Sequence, residues 1–515
     1  MPIGKIPMFG EYSGKYGIYF DQNSSKEVLN MLFQNTDQGD YAELVTRPSF
    51  EYRQPIEQDW VNAPRVAKWM IFYPSLGRML CSMFYPNTST EEYADIDNGQ
   101  TIRIIGSVNN ACQLNGSPIL VYSSGVQYAL FANQNQQLTY IDSSRVVNTL
   151  PTGVGGNDAQ KCVYLDGYVI KFSNGDTKFY FSSAGDFTTW SALDFVDVGD
   201  IIRSIHVFND YIYIFTTSKT LRYYNDGSTP FAKAQGQDIN KGSVGIASVV
   251  DDGNHIYYLT FDNSFGRING SQFEELGRDM YNSIKDMVKF SPESTNLFHF
   301  YYNGRNYISI YNESMLSNRY QLVYEVESEK WHKWTLDDNS GNRIPAVSDI
   351  KQHLRNNNSF PANYFASRGY DSSVSNRSDI CQLGFRGYDL TRQSNNLPSD
   401  RSKIDQELIT GLIDHGTHLK KRSKVIRIKA RKPSVLFPSD NIMRLSYRDN
   451  ITDSFTTLQD FSLNSSDDDI ITLEKWSNGV YRQRQYKIDS SAVSEYRNAV
   501  FDITDFEEEY EILGS

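Results

Sequence analysis

Cysteine is scarce in this sequence of 515 residues, which contains only four. The four lie far apart and include no Cys-x-x-Cys pair, at positions Cys81, Cys112, Cys162 and Cys381. This spacing argues against a disulfide framework or a zinc site and predicts buried free thiols. No apolar run approaches the roughly 18 residues that a membrane-spanning helix needs, and Met1–Gly10 lacks the basic and apolar regions of a secretion signal.

The short motifs of common hydrolases are also missing. None of the histidines stands in a His-Glu-x-x-His motif, and no Gly-x-Ser-x-Gly nucleophile elbow is present. His415 and His418 lie three residues apart beside Asp414, so a metal site is one interpretation, and an ordinary turn or strand end is the better supported one. The sequence therefore predicts a protein that is not an enzyme and that needs no cofactor or metal.

Clustered positive charge is rare in this chain, whose net charge is −12. Such an acidic surface is not expected to bind duplex DNA tightly as a whole, because phosphate binding requires grouped Lys and Arg side chains. One exception is a basic cluster that consists of Lys420, Lys421, Arg422, Lys424, Arg427, Lys429, Arg431 and Lys432.

Within the basic cluster, apolar and basic residues alternate over 426–431, which on a β-strand places the basic side chains on one face. We therefore predict a candidate interface formed by Lys424, Arg427, Lys429 and Arg431. Its partner would be DNA phosphates or an acidic protein surface, and the alternative is a solvated strand face. The acidic C-terminal segment complements it in charge, and we expect pairing across subunits through Asp505, Glu507, Glu508, Glu509 and Glu511.

Aromatic residues, by contrast, are abundant and make up 14% of the sequence. Tyr and Phe favour β-strands, and long amphipathic helical periods are scarce, so the fold class is predicted to be mainly β with only a short helix at Met280–Lys289. From Trp69 onward, short β-like runs are separated by two-residue polar turns such as Asp166-Gly167, Asn209-Asp210 and Asn303-Gly304. Four-stranded units that repeat every roughly 40–50 residues are typical of a β-propeller.

The same rhythm divides the chain into three parts. Residues 1–60 are rich in Gly and Pro, which predicts an extended N-terminal arm that lies on a neighbouring subunit. Residues 61–402 are predicted to form the β-propeller-like domain, with a long loop insertion at about 338–402 that is dominated by Asn, Ser, Arg and Asp. Residues 403–515 are predicted to form a separate, sandwich-like C-terminal β domain.

The stretch from Phe179 to Ser248 is the most informative part of the chain. It contains Gly185-Asp186, Thr189-Trp190 and Ala192-Leu193-Asp194-Phe195, followed by Phe231-Ala232-Lys233-Ala234-Gln235-Gly236. These residues resemble the packaged-DNA stabilisation proteins of short-tailed bacteriophages, which form the tail hub or nozzle below the portal. The resemblance extends to Met1-Pro2-Ile3 and Arg47-Pro48 near the N-terminus, and more loosely to Leu445-Ser446-Tyr447-Arg448-Asp449.

The resemblance implies a structural protein of the virion tail, assembled in the host cytoplasm and without catalysis. Its copies would form a homohexameric ring that continues the portal channel, retains packaged DNA and conducts it at ejection. Its partners would be the tail adaptor and portal proteins, tail fibres or spikes, and a tail plug or needle, with transient passage of double-stranded DNA. An acidic channel wall suits this task, because a surface of like charge cannot hold the DNA tightly.

Two other functions fit the same sequence less well. A receptor- or carbohydrate-binding β-propeller of a tail fibre or adhesin would use exposed Tyr and Trp side chains to stack on sugars. Gly185–Trp190 also resembles the Asp-box turn of sialidase-like propellers, but that turn is structural. A glycosidase of that type would need an arginine cluster, a tyrosine nucleophile and an acid, which the sequence does not identify.

Overall fold

A computed structural model describes most of the chain. The residues described are 66–85, 90–96, 102–109, 118–132, 137–150, 153, 159–227, 230–289, 292–302, 304–312, 320–337, 406–431, 442–463, 470–490 and 501–513, with short strands at 3–5, 27–29, 31–35, 42–46, 49–52, 343–345, 349–353, 362–368, 378–384, 389–390 and 401–402. The chain forms two compact units. Unit 1 comprises Met1–Tyr52, Ser317–Ala346 and Leu383–Ser515, and unit 2 comprises Arg53–Leu316 and Val347–Gln382.

The strands follow one another closely along the chain. Unit 1 begins with β1 (Ile3–Lys5), β2 (Glu27–Leu29), β3 (Met31–Asn35), β4 (Ala42–Thr46) and β5 (Ser49–Tyr52). Unit 2 then contributes β6 (Val66–Tyr73), β7 (Arg78–Tyr85), β8 (Thr90–Ile96), β9 (Ile102–Asn109), β10 (Ile119–Ser123), β11 (Val126–Phe131), β12 (Thr139–Ile141), β13 (Val147–Thr149), β14 (Lys161–Leu165), β15 (Tyr168–Phe172), β16 (Lys178–Ser183), β17 (Asp186–Asp197), β18 (Ile202–Phe208), β19 (Tyr211–Thr216), β20 (Thr220–Tyr224), β21 (Ala232–Lys233), β22 (Val249–Asp251), β23 (Ile256–Leu259), β24 (Phe265–Asn269), β25 (Gln272–Glu275), helix α1 (Tyr281–Val288), β26 (Thr295–Tyr302) and β27 (Arg305–Asn312).

The remaining strands alternate between the units. Unit 1 adds β28 (Gln321–Glu325), β29 (Lys330–Asp337) and β30 (Arg343–Pro345). Next come β31 (Asp349–His353) and β32 (Ala362–Arg368) in unit 2, and β33 (Ser378–Gly384) at its boundary. The chain ends in unit 1 with β34 (Asp389–Leu390), β35 (Arg401–Ser402), β36 (Glu407–Ile409), β37 (Lys421–Arg431), β38 (Ile442–Arg448), β39 (Thr456–Ser462), β40 (Ile470–Trp476), β41 (Val480–Tyr481), β42 (Gln485–Asp489) and β43 (Asp502–Ile512).

Unit 2 is a β-propeller built from consecutive antiparallel strands, and we call it the propeller unit. Its described residues include the four-stranded sheets β6–β9, β10–β13, β14–β17, β18–β21 and β22–β25. The first strand of each sheet lies beside the first strand of the next from β10 through β14, β18 and β22 to β26. β31 then contacts both β26 and β6, which gives the strands a circular order. The prediction of a mainly β fold with a propeller is therefore confirmed.

The turns that connect the strands confirm the two-residue turns predicted from the sequence. Asn209 and Asp210 have φ values of +47° and +63° between β18 and β19, and Asp166 and Gly167 have +50° and +86° between β14 and β15. Two successive positive φ values are typical of the hairpin turn that matches strand twist. The predicted short helix is also present as α1.

The core between the sheets β14–β17 and β18–β21 is built around one aromatic side chain. Phe231 is 6% exposed and its ring lies 5.5 Å from that of Tyr168, 5.2 Å from that of Phe181 and 6.0 Å from that of Phe179. The interplanar angles of these three pairs lie between 67° and 75°. This edge-to-face arrangement stabilises the core in addition to the burial of apolar area. Phe231 thus lies in a core shared by two neighbouring blades.

Unit 1 is a sandwich of two sheets, and we call it the sandwich unit. One sheet has the order β3-β4-β43-β37-β40, and the other contains β36-β42-β38-β39. The core between them combines residues from both sheets, including Ile428, Ile503, Leu445 and Ile488. The predicted sandwich-like character of the C-terminal domain agrees with this arrangement.

The described N-terminal strands contribute to this sandwich unit. β1 pairs with β43, with Ile3 opposite Glu509, and β4 pairs with β43 through Leu44 and Ile503. At these described strands the prediction of an arm that lies on a neighbouring subunit is corrected, because β43 of the same chain provides the strand edge to which they bind. The rest of residues 1–60 lies outside the described residues.

The predicted loop insertion at 338–402 also contains regular structure. β31, β32 and β33 form an antiparallel meander, with Phe365 opposite both Ile350 and Cys381. At these strands the prediction of a structureless loop is corrected. The strands were missed because Asn and Ser dominate between them, which hides the short β-like runs. The segments between the strands lie outside the described residues.

The described cysteines are free and buried, as predicted. Cys81 and Cys162 form no disulfide, and burial raises the pKa of the Cys162 thiol to about 12, so this thiol is protonated near neutral pH. The side chains of Cys112 and Cys381 lie outside the described residues. Within the described residues, the only helices are too short or too polar to cross a bilayer.

Candidate interaction surface

Six residues of the predicted basic cluster, from Lys421 to Arg431, lie on β37, which pairs with β43 on one side and β40 on the other. Ile426, Ile428 and Ala430 are buried in the core of the sandwich unit. The side chains between them lie on the opposite, outward face and include Arg427, Lys429 and Arg431. Lys424 stands at a β-bulge between Ser423 and Val425. The predicted strand and its shared basic face are therefore confirmed, whereas the interface role stays a prediction.

Arg427 is held by two carboxylates of the same sheet. Its Nε lies 2.9 Å from Glu474 Oε1 on β40, and its Nη2 lies 3.3 Å from Glu509 Oε2 on β43. The hydrogen bond to Glu474 is the main cause of a raised pKa of the Arg427 guanidinium. One cation is thus shared between the two strands that flank β37.

The neighbouring lysines have similar partners. Lys429 Nζ lies 3.1 Å from Asp505 Oδ2, and Lys424 Nζ lies 2.9 Å from Glu511 Oε2. The Lys424 ammonium lowers the pKa of the Glu511 carboxyl through a hydrogen bond and direct charge attraction. These pairs are solvent-accessible, so each contributes little stability by itself, but together they fix the register of the sheet.

The acidic C-terminal segment is therefore the partner of the basic cluster, but within one chain. β43 runs antiparallel to β37 and places Glu507 opposite Arg427 and Asp505 opposite Lys429. The expectation of pairing across subunits is wrong at these positions. The reason is geometric: β43 returns along β37 as a full strand, so the two rows of opposite charge become cross-strand neighbours.

This pairing changes what the basic cluster can do. Phosphate groups bind to Lys and Arg side chains that are free to release counterions. On β37, a phosphate would have to compete with carboxylates that are already 2.9–3.3 Å from Lys424, Arg427 and Lys429. The outward face of this sheet is consequently a mixed-charge surface.

Beneath the charged face lies a buried carboxylate that the sequence did not single out from its neighbours. Glu508 is 0% exposed and points to the inner face of β43. Its Oε2 accepts hydrogen bonds from the Tyr481 hydroxyl at 2.7 Å and from His415 Nε2 at 3.0 Å, and its Oε1 accepts one from the Tyr486 hydroxyl at 2.8 Å.

The ionisation of Glu508 is set by two opposing effects. Burial raises the pKa of its carboxyl, but the hydrogen bonds donated by His415, Ser423, Tyr481 and Tyr486 outweigh burial and leave the pKa below its usual value. Burial and the negative charge of Glu508 in turn raise the pKa of Tyr486 well above its usual value. The network therefore places an ionised carboxylate among hydrogen-bond donors.

Of the two histidines predicted as a minor metal alternative, His415 belongs to this network. His415 has a φ of +51° in a turn, binds Glu508, and stacks on Tyr510 with ring centres 4.0 Å apart. His418 is exposed nearby. Among the described residues no group of His, Cys, Asp or Glu side chains is arranged to hold a metal ion. The interpretation of this segment as a turn agrees with the structure.

A polar pocket of about 750 Å³ lies at the same end of the sandwich unit, and Tyr481 is part of its wall. Its other lining residues include carboxylates, amides and cations, among them Asp414, Asp449, Asn450, Gln483, Lys420 and Arg482. Such a mixture of donors and acceptors suits a polar ligand or a polar protein side chain.

A buried arginine supports the wall of this pocket. Arg484 is 1% exposed, and its Nε and Nη2 lie 2.7 and 3.1 Å from the two oxygens of Asp449. Its guanidinium lies between the rings of Tyr447 and Tyr481, at 4.2 and 4.4 Å from their centres. The sequence did not predict this pair, because Asp449 and Arg484 are 35 positions apart and no local pattern links them.

The turn at Gly185–Trp190 in the propeller unit is structural, as its sequence predicted. Asp186 Oδ1 accepts hydrogen bonds from the backbone N–H and the hydroxyl of Thr188 at 2.9 and 2.6 Å, and Oδ2 accepts one from the Thr189 hydroxyl at 2.7 Å. These hydrogen bonds, led by that from the Thr188 hydroxyl, lower the pKa of the Asp186 carboxyl. Trp190 Nε1 donates to the carbonyl of Phe187 at 2.7 Å, which closes the turn.

A bulge follows this turn on β17, the outermost strand of its sheet. Trp190 lies opposite Ser182 and Phe195 lies opposite Tyr180, so the four residues 191–194 stand opposite a single residue of β16. Leu193 lies in this bulge and is 84% exposed. A bulge of this kind ends regular pairing and redirects a side chain, here into solvent.

Comparisons with known proteins add little beyond the fold. No protein-family model matches the sequence, and no curated protein matches it. Similar solved structures include the N-terminal domain of Nup159, with 8% identity and a TM-score of 0.38 over 70% of this chain and 99% of that chain. BamB from Moraxella catarrhalis has 10% identity and a TM-score of 0.35 over 69% and 95% of the two chains, and the computationally designed Ika8 protein has 6% and 0.36 over 65% and 100%. The assignment of a β-propeller rests on the sheet order described above.

Proposed function

We propose that this protein is a structural subunit of the tail hub, or nozzle, of a short-tailed bacteriophage. It would form a ring below the portal and adaptor, retain packaged DNA and conduct it at ejection. The observation that carries the proposal is the neutralisation of the basic cluster within its own sheet, where Lys424, Arg427 and Lys429 each contact a carboxylate. The sequence resemblance of Gly185–Gly236 to hub proteins supports the same function.

The physical argument concerns how tightly a channel wall holds DNA. Every Lys or Arg that contacts a phosphate strengthens binding by releasing counterions, and several such contacts would stop a strand from sliding. This chain carries a net charge of −12, and its densest group of cations is paired internally. A ring of such subunits would surround DNA without gripping it, which suits a conduit.

Mass and symmetry measurements test the proposal directly. We would study the purified full chain by light scattering and negative-stain imaging, alone and with the portal–adaptor complex of its own virus. A ring with a central hole wide enough for duplex DNA, formed alone or on the adaptor, is the expected result. A monomer or trimer that does not bind the adaptor would overturn the proposal.

The polar pocket favours a second candidate function, receptor or carbohydrate binding by a tail fibre or adhesin. Its amides Asn450 and Gln483 and its carboxylate Asp414 are the kinds of group that fix sugar hydroxyls. Three results together would favour this second function over the hub. The wild-type chain would bind a glycan array, an Asn450→Ala variant would lose that binding, and the wild-type chain would form no ring.

A further inference from the structure

We propose that the bulge carrying Leu193 is one half of a contact between copies of this chain, and that the outward face around Trp476 is the other half. This inference rests on the proposed ring and names the surfaces that would build it. The two surfaces belong to different parts of the chain, so the contact would be head-to-tail.

The first surface, which we call the knob, consists of residues 191–195 on β17. Leu193 is 84% exposed and Phe195 is 36% exposed. The bulge interrupts the outer edge of its sheet, so the knob presents side chains and not a row of unpaired backbone groups. Such an edge favours one specific contact over indiscriminate strand pairing.

The knob is also held in a fixed shape. The Ser191 hydroxyl accepts a hydrogen bond from the backbone N–H of Leu193 at 3.1 Å. On one side, the Asp186 turn anchors the strand, and on the other, Lys178 Nζ lies 4.3 Å from the centre of the Phe195 ring. A preorganised apolar side chain loses little conformational entropy on binding, which makes it effective in an interface.

The charge around the knob is negative on balance, since two carboxylates, Asp194 and Asp197, accompany one cation, Lys178, which lies opposite Asp197 on β16. Asp194 follows Leu193 directly, and Asp197 is exposed at the end of the same strand. Hydrogen bonds led by that from the backbone N–H of Gly199 lower the pKa of the Asp197 carboxyl, so it carries its charge at neutral pH. A partner surface should therefore combine apolar and basic side chains.

The second surface, which we call the socket, has these properties and lies on the sandwich unit. Trp476 is 59% exposed and Val480 is 45% exposed. The register of the sheet places Trp476 opposite Val425 and Val480 opposite Arg422, so the two apolar side chains flank the basic end of β37. The side chain of Arg422 is 51% exposed on the strand beside Val480.

The composition of the socket is typical of protein interfaces. Trp and Arg are enriched at the centres of such interfaces and contribute a large share of their binding energy. Glu511 approaches Arg422 at 3.7 Å and Lys424 at 2.9 Å, so two cations share one carboxylate and the socket keeps a positive charge. It is complementary to the knob in both polarity and charge.

A second copy of the same chain is the occupant that these features favour. Both surfaces are present on every copy, and they have opposite charge balances: the knob has two carboxylates for one cation, and the socket has two cations for one carboxylate. A head-to-tail contact of this type repeats around an axis and produces a closed ring when the rotation per subunit allows it. In the isologous alternative, the knob of one copy would contact the knob of the other. That contact would place the two Asp194 carboxylates against each other.

Two charge-introducing variants test the contact: Leu193→Lys, which places an ammonium against the basic socket, and Trp476→Glu, which places a carboxylate against the acidic knob. Both positions are exposed, so neither substitution should disturb folding, and each should raise the dissociation constant of the assembly about tenfold or more by burying a charge beside charges of the same sign. The matched controls are Val146→Lys and Val146→Glu, because Val146 is 50% exposed in the turn that precedes β13. Analytical ultracentrifugation of the full chain, with and without the portal–adaptor complex, gives the readout.

Cysteine cross-linking distinguishes a contact between copies from any contact within one. We would mix the Leu193→Cys variant with the Trp476→Cys variant under mild oxidation, with a mixture of Leu193→Cys and Val146→Cys as the control. A covalent dimer in the first mixture and none above the wild-type background in the control is the expected result.

The outcomes separate this inference from the proposed function. If the wild-type chain forms a ring and both Leu193→Lys and Trp476→Glu form it equally well, the knob–socket contact is wrong and the hub function stands. If the wild-type chain forms no ring under any condition, both proposals are wrong. If Leu193→Lys keeps the ring and loses only adaptor binding, the knob binds the adaptor, and the contact between copies is overturned.

Discussion

The propeller unit pairs strands that follow one another along the chain, whereas the sandwich unit pairs strands that are far apart in sequence. β18 and β19 are separated by two residues, but Lys429 on β37 contacts Asp505 on β43 across 76 positions. The consequence is that the propeller unit can form blade by blade, whereas the sandwich unit cannot complete the sheet around β37 until the C-terminal strand β43 has been added.

The two units also hold their cores together differently. The core around Phe231 is formed by aromatic and aliphatic side chains of two blades. The sandwich unit buries apolar residues too, but it adds the Glu508 network, in which an ionised carboxylate is 0% exposed. Apolar packing depends little on pH, whereas a buried carboxylate makes a unit sensitive to it.

The largest effect is expected from truncation of the aromatic core of the propeller unit. Phe231→Ala should destabilise that unit by about 3–5 kcal/mol, because it leaves a cavity among Tyr168, Phe179 and Phe181. Denaturant unfolding followed by Trp fluorescence measures the change. Phe261→Ala is the matched control, since Phe261 is 50% exposed and should cost far less. Equal effects of the two variants would show that this core is not tightly packed.

A smaller and pH-dependent effect is expected in the sandwich unit. Glu508→Gln removes the charge but keeps the size, and it should cost about 1–3 kcal/mol near neutral pH, because the donors His415, Tyr481 and Tyr486 lose their charged acceptor. Hydrogen exchange of the β37 and β43 peptides measures the loss locally. Glu507→Gln on the same strand is the control.

The pH dependence has a definite sign. Because the pKa of Glu508 is lowered in the folded state, its contribution is complete above the ordinary Glu pKa of 4.5 and is lost as the pH falls through the folded-state value. Wild-type protection of β43 should therefore fall more steeply on acidification than that of the Glu508→Gln variant. Parallel pH profiles of the two proteins would contradict the assignment of an ionised Glu508.

The smallest effect is expected on the outward face of the same sheet. Arg427→Ala removes two partly exposed ion pairs and should cost no more than about 1 kcal/mol, with the difference from wild type shrinking in 1 M salt. Thermal unfolding at low and high salt measures it. A loss as large as that of Glu508→Gln, unchanged by salt, would mean that Arg427 stabilises the sheet by more than surface charge pairing.

Much of the propeller was predictable because its information is local. Asn209-Asp210 sits between two aromatic and aliphatic runs, and that pattern alone specifies a hairpin. The residues of the knob were noted in the sequence only because they resemble hub proteins. The bulge itself was not predicted, because neither Leu193 nor its neighbours indicate how many residues of β17 are left without a partner on β16. The alternation of basic residues on β37 was also predictable, since strand geometry has a period of two.

By itself, the sequence determined a mainly β chain, the turns between consecutive strands, the burial of Cys81 and Cys162 and the basic face of one strand, because each follows from residues within a few positions of one another. Only the tertiary structure decided which partners that face would have and that Glu508, alone among its acidic neighbours, would be buried. The physical reason is that pairing of β37 with β43 depends on chain segments some 75 positions apart, whose register no local pattern encodes.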